Sequence, residues 1–312
     1  MTVLTFGETM ALASAVGTGP LAHTATMELG IGGSESNFAV ALARLGVDVT
    51  WVGRVGVDSL GDRVERELRA ERLDVHAVRD DQAATGLMVK ERRTASATRV
   101  WYYRSGSAGS RFGIGDVPDR AWDNTSLLHV TGITPALSES ASKATLHYVE
   151  LARERGITVS FDLNYRKSLW TKEQAAPVYR QIIERADIVF AGADEAAVVV
   201  PDGSPAELAE RLCALGPDEA VIKLGQHGAL ARVDGRCVDR AAVPVTVVDS
   251  VGAGDGFVAG YLAERLAGRS VAERLEVAVR VGAFACTVTG DWEGMPRRHE
   301  LDLLAAMEGV SR

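Results

Sequence analysis

Cysteine is scarce: Cys213, Cys237 and Cys286 are the whole complement, odd in number, with no Cys-x-x-Cys pair or His-rich cluster beside them. That argues against a disulfide-held minidomain and a cysteine-ligated metal, and fits reduced packing residues of a cytosolic protein. Positive charge is also in short supply, with 34 Lys and Arg against 42 Asp and Glu for a formal net charge of −8. Neither nucleic acid nor a membrane surface is therefore an expected partner, and an anionic ligand must meet local arginines. No apolar run reaches the roughly 18 residues of a membrane span. The first eight residues read as the start of a strand, without the basic segment of a secretory leader, so the expected location is the cytoplasm. Repeats, low-complexity tracts and linkers are missing too, so residues 1–312 read as one domain, and 46% hydrophobic with 24% charged residues excludes disorder.

What is present is alternation. Short apolar runs at 3–6, 49–52, 127–131, 157–161, 188–191, 220–224 and 230–233 alternate with stretches of helical spacing, the pattern of βαβ units around a mostly parallel sheet. Helices are expected over 37–45, ending at Gly46, and around Leu60, Val64 and Leu68, which repeat every fourth position. Later ones are expected over 138–155, 172–185, 205–215, 256–267 and 271–287. Two segments, 11–31 and 85–104, break this rhythm and read as β-strands outside the main sheet, the second folding back across a polar turn at 92–98. Excursions of that kind serve as active-site covers, so a small β lid is expected.

The most informative stretch is Asp249-Ser250-Val251-Gly252-Ala253-Gly254-Asp255-Gly256-Phe257, which follows an apolar run and opens a helical pattern. Glycines at a helix N-terminus turn unpaired amides toward an anion, aided by the helix dipole. A carboxylate in that cradle repels a resting phosphate, so Asp255 makes sense if it faces a hydroxyl that attacks the phosphate; the plainer alternative is a capping carboxylate. Gly254, Gly256 and Ala259 also fit a weak dinucleotide fingerprint, which is set aside because it lies far from a first βα turn and leaves Asp255 without a hydroxyl to activate. No P-loop is present. A second cluster, Gly30-Ile31-Gly32-Gly33-Ser34-Glu35-Ser36-Asn37, precedes the first helix and allows close approach of a ligand to the backbone.

Together, Gly32-Gly33-x-x-x-Asn37-x-Ala39 with Gly46 and Gly56, and Asp249-x-x-Gly252-Ala253-Gly254-Asp255, resemble the two signatures of the ribokinase-like (PfkB-type) carbohydrate kinases. The resemblance spans nearly the whole chain. It implies a three-layer α/β/α sandwich with a β lid, ATP as phosphoryl donor, Mg2+, and Asp255 as base beside the amides of Gly252, Ala253 and Gly254. Trp101-Tyr102-Tyr103-Arg104, His129-Val130-Thr131-Gly132 and Phe161-Asp162-Leu163-Asn164-Tyr165-Arg166 are most similar to the branch acting on 2-keto-3-deoxygluconate. On that resemblance Gly33, Tyr102, Tyr103, Arg104, Arg166, Asp255 and Asp291 would contact the sugar acid. Asn164, Tyr165, Arg166, Lys223, Gly225, Gly228, Gly252 and Gly254 would contact the nucleotide, and Glu195 the magnesium. Gly192, Val279 and Met88 depart from it, standing where relatives often have two asparagines and a lid tyrosine. Arg104 and Arg166 suit a carboxylate, which neutral sugars lack. The expected reaction is phosphorylation of the acid's 6-hydroxyl. A neutral-sugar kinase such as a fructokinase, a non-catalytic sugar or nucleotide sensor, and more distantly a nicotinamide dehydrogenase are the rivals. Relatives often associate through the lid, so self-association there is a further expectation.

Overall fold

The computed structural model describes residues 1–94 and 97–304. Among them are strands β1 (Thr2–Phe6), β2 (Met10–Thr18), β3 (Met27–Gly32), β4 (Asp48–Gly56), β5 (Asp74–Asp80), β6 (Leu87–Arg92) and β7 (Thr98–Tyr103). They continue with β8 (Thr125–Thr131), β9 (Thr158–Asp162), β10 (Ile188–Gly192), β11 (Glu219–Lys223), β12 (Ala229–Val233) and β13 (Arg236–Arg240). The helices are α1 (Ser34–Arg44), α2 (Ser59–Ala70), α3 (Glu139–Glu154), α4 (Lys172–Ile183), α5 (Ala193–Ala196), α6 (Pro205–Cys213), α7 (Ala253–Leu266) and α8 (Val271–Ala285). None of them is long and apolar enough to cross a membrane.

Nine strands form the central sheet in the order β13-β12-β11-β10-β9-β8-β1-β4-β5, parallel except for the hairpin of β12 and β13. Successive side chains of a strand face opposite layers, and the core divides accordingly. Ile188 and Phe190 of β10 pack toward α1, α2, α7 and α8 with Phe38, Val64, Tyr261 and Leu275. Val189 and Ala191 pack the other way, with Tyr148 of α3, Tyr179 of α4 and Leu208 of α6. Side-chain caps fix the helix starts: Ser138 accepts from the Ala141 amide, and Thr171, Ser204 and Ser270 form capping boxes with Gln174, Glu207 and Glu273.

The chain winds outward from β1 to β4 and β5, then resumes on the other side at β8 and continues to β11. The strand order therefore reverses between β1 and β8, and ligands of open α/β sheets bind at such a reversal, beyond the strands' C-terminal ends. Both expected excursions leave from that end. The first follows β1 and the second follows β5, and they join as a four-stranded sheet, β3-β2-β6-β7, that forms the lid. The expected turn at 92–98 includes positions 95 and 96, which lie outside the described residues.

Several boundaries move, with consequences for the site. α7 begins at Ala253 instead of 256, because Gly252 takes the left-handed conformation (φ 77°) and caps the helix, which puts Asp255 in its first turn. α1 begins at Ser34 instead of 37, which puts Ser34 and Asn37 one turn apart at its open end.

Candidate active site

The two glycine clusters, more than two hundred positions apart, meet at one carboxylate. Ser34 Oγ donates to Asp255 Oδ1 at 2.6 Å, and Asn37 Nδ2 donates to Oδ2 at 2.9 Å. Asn164, in the left-handed region (φ 38°) just after β9, donates to Ser34 Oγ at 2.6 Å and reaches Asp255 Oδ1 at 3.5 Å. The start of α1 is itself anchored to the end of β8, since buried Glu35 accepts from Thr131 Oγ1 at 2.7 Å and Thr134 Oγ1 at 2.6 Å. Burial pushes Asp255 up to about 6, against the pull of the Ser34 and Asn37 hydrogen bonds. A carboxylate held on one side and open on the other is suited to accept a proton near neutrality.

Asp255 opens into a cavity of about 790 Å³ that the lid covers. Gly33, Asn164, Gly252 and Gly254 line it close to Asp255, and Tyr102, Arg104, Arg166 and Asp291 line it elsewhere. Lys223 lines this cavity and also a second one of about 650 Å³, whose wall carries Gly192, Asp194, Glu195 and His227. Its Nζ lies 2.6 and 2.8 Å from the Asp162 oxygens and 3.8 Å from Glu195. Burial works against the Lys223 charge, but Asp162 and Glu195 more than restore it, so its pKa is raised and it stays an ammonium. One cation thus stands where the two chambers meet, as expected of a group that accompanies a phosphate moving between them.

Five expected site residues stand apart from these walls. Tyr103 is 66% exposed and lines neither cavity; it follows Tyr102 on β7, and neighbouring strand side chains point opposite ways. The Tyr165 hydroxyl donates instead to the Trp170 carbonyl at 3.1 Å, and the ring packs against the core. Gly225 and Gly228 bracket the turn before β12 with φ of 55° and 91°, and it is His227 between them that faces the second cavity. Ala253 is the first residue of α7 and lines no cavity either. Of the departures, Met88 lines the main cavity, Val279 is on the buried face of α8 in the core, and the Gly192 amide donates to Glu195 Oε2 at 2.6 Å.

Glu8 was not singled out in the sequence, yet it organises one wall. It is 3% exposed and lies just beyond β1, where Arg104 Nε and Nη2 reach its Oε2 at 2.7 and 2.6 Å and Ser107 donates to Oε1. Arg104 is therefore a pre-positioned guanidinium whose remaining edge is available to the cavity. Arg166 is exposed and lines the same cavity; among the described residues it forms no close ion pair, and its charge acts on Asp255, favouring the carboxylate. A charged residue at the C-terminal end of a buried strand is the signal by which Glu8 was findable.

Residues 2–298 match the pfkB family carbohydrate kinases. The chain is 36% identical to the 2-dehydro-3-deoxygluconokinase of Bacillus subtilis (strain 168), covering 96% of this chain and 93% of that one. It is 32% identical to the 2-dehydro-3-deoxygalactonokinase of Haloferax volcanii, covering 93% and 92%. A PfkB protein crystal structure from Polaromonas sp. JS666 superposes with a TM-score of 0.86 at 34% identity, covering 96% and 98%. The chain belongs to the pfkB family of carbohydrate kinases.

Proposed function

We propose that this chain moves the γ-phosphoryl group of MgATP to the 6-hydroxyl of 2-keto-3-deoxygluconate, the acid also called 2-dehydro-3-deoxygluconate. The observation that carries this reading is a single cavity holding both an anion-accepting turn with Asp255 and two arginines, Arg104 and Arg166. A neutral sugar offers Arg166 no anion, whereas a sugar acid can place its carboxylate on Arg166 and on the edge of Arg104 that Glu8 leaves open. As the bond from O6 to phosphorus forms, the bond from phosphorus to the β-phosphate oxygen breaks, and its electron pair leaves with ADP. Asp255 takes the O6 proton late in that step, because even at about 6 its pKa is far below that of an alcohol. Free amides at the Gly252 end of α7 support the charge on the transferred group, and the lid keeps competing water out.

Among the described residues no group of three or more His, Cys, Asp or Glu is arranged as a metal site. Magnesium in kinases keeps water and phosphate oxygens and needs only one or two carboxylates, which the Glu195 and Asp194 wall of the second cavity offers. When bound there it neutralises phosphate charge.

Replacing Arg166 with alanine tests the acid reading, since this exposed side chain carries little of the fold. Its loss should raise KM for the keto acid about 10- to 100-fold, the cost of a charge-assisted hydrogen bond, with little change for fructose. Arg104→Ala should do the same and also lower the melting temperature, because it leaves Glu8 buried and unpaired. Equal damage to fructose turnover in both variants would remove the carboxylate from the cations. Running the 4-epimer in parallel separates the gluco from the galacto acid.

We also propose a single kinase domain that works in the cytoplasm, where ATP is supplied; the family match over residues 2–298 supports the single domain. The lid's outer strands β3 and β7 carry exposed Leu29 and Tyr103. Two copies joined through their lids would cover them. Light scattering should then give a mass of twice 33.2 kDa, and a monomer at micromolar concentration would reject the association.

A further inference from the structure

Lys90 lies on β6 of the lid, where alternation turns it inward beside Met88, and it is 2% exposed. Its Nζ meets Asp249 Oδ2 at 2.6 Å and Asp291 Oδ1 at 3.2 Å. Neither aspartate belongs to the lid. Asp249 begins the glycine-rich turn, and its Oδ1 accepts from the Val251 amide at 3.2 Å. Asp291 packs its backbone carbonyl so closely on Gly252 that even a methyl group there would collide with it, while its carboxylate faces the main cavity. The loop around Asp291 is held from behind by Arg44, which donates to the carbonyls of Trp292, Glu293 and Met295. A single lid-borne ammonium therefore grips both sides of the turn from which α7 and Asp255 start.

We propose that Lys90 is a positioning residue for phosphoryl transfer: it latches the lid to the anion-accepting turn and fixes Asp249 and Asp291 around it. Stability alone is a poor reason for such a triad, since a buried ion cluster is commonly matched or exceeded by apolar residues of similar volume. The triad also carries one positive charge against two negative ones, so without Lys90 two carboxylates would stand uncompensated where a phosphate must approach. Movement of β6 away from the central sheet would break both contacts at once. The assembled turn and the closed lid are thus one state, and a kinase that forms its anion site only when covered spends less ATP on water.

The inference concerns the transfer step and is measured on whichever sugar the wild-type chain phosphorylates, so failure of the keto-acid assignment leaves it standing. Lys90→Met keeps the volume and removes the charge. Its kcat should fall about 100-fold, the scale of a misplaced reacting group, while KM for ATP stays within about threefold; the melting temperature should drop as well, because Asp249 and Asp291 lose their cation, so kcat is read well below it. Lys90→Ala should lose as much and recover about tenfold on addition of ammonium chloride, but not of tetramethylammonium chloride at the same ionic strength, because only the small cation can donate to both aspartates. A Lys90→Met kcat within threefold of wild type overturns the proposal. So does an alanine variant that ammonium fails to restore.

Discussion

Asp255→Asn should lower kcat by about 10²–10⁴-fold, the range for removing a general base, while ATP still binds with nearly its wild-type affinity. The hydrogen bonds allow the substitution to be clean. Ser34 Oγ donates to Oδ1, which an asparagine carbonyl replaces directly. Asn37 Nδ2 donates to Oδ2, which becomes an amide nitrogen. The Asn37 side-chain oxygen is buried without a hydrogen-bond partner among the described residues, so a flip of that amide lets it accept from the new nitrogen. The turn then keeps its shape and only the proton acceptor is lost. A variant within tenfold of wild type would take Asp255 out of the base role.

The same carboxylate makes opposite demands on activity and stability. With its pKa raised by burial to about 6, wild-type kcat/KM should fall about tenfold per unit as pH drops below 6, because the base is then protonated. Asp291, also pushed to about 6 by burial against the opposing pull of Lys90, adds to the steepness of that limb. For stability the sign reverses. An acid whose native pKa lies above its unfolded value of about 3.9 favours the fold fully at pH below that value, and the advantage is lost as pH rises through 6. Asp255→Asn should therefore be more stable than wild type at pH 8, by on the order of 1 kcal/mol once partial exposure is allowed for, and the gap should close toward pH 4. Melting curves at the two pH values check it, and a variant less stable at pH 8 would show that the amide flip does not occur.

How much of this was visible beforehand depended on whether a residue's partner was local. The inner strands announced themselves as apolar runs because both of their faces are buried, as at β8 and β10. β5 and β13 did not. They close the two edges of the sheet, and their sequences, Asp74–Asp80 and Arg236–Arg240, carry charge at the positions that meet water. The glycine clusters could be read because a helix start has a local signature, and both border the cavity that holds Asp255. That Glu8 pairs with Arg104, and Lys90 with Asp249 and Asp291, could not be read. A lysine inside a strand looks the same in sequence whether it meets water or two aspartates from the far end of the chain, and only the lid's return over the strand ends brings them together.

Gly252→Ala should be far more damaging than Gly254→Ala in the same turn, for two independent reasons. The residue sits at φ 77°, in a region that costs an L-residue about 1–2 kcal/mol. A Cβ there would also run into the carbonyl oxygen of Asp291, which is backbone and is held in place by the contacts of Arg44 to that loop. The turn has to shift, carrying the first amides of α7 with it, and losing an aligned donor of this kind costs kcat about 10²–10³-fold. Gly254→Ala provides the contrast. Its backbone is ordinary, and the nearest atom to an added Cβ is Lys223 Nζ at 3.9 Å, so the free protein accommodates it without strain. Gly254 lines the cavity, however, and a methyl group there competes with the phosphate for space. The alanine at 252 should therefore lower both kcat and the melting temperature, while the alanine at 254 should weaken substrate or ATP binding with the melting temperature unchanged. If Gly252→Ala kept kcat within tenfold of wild type, the amides at the start of α7 would not be what supports the transferred phosphoryl group.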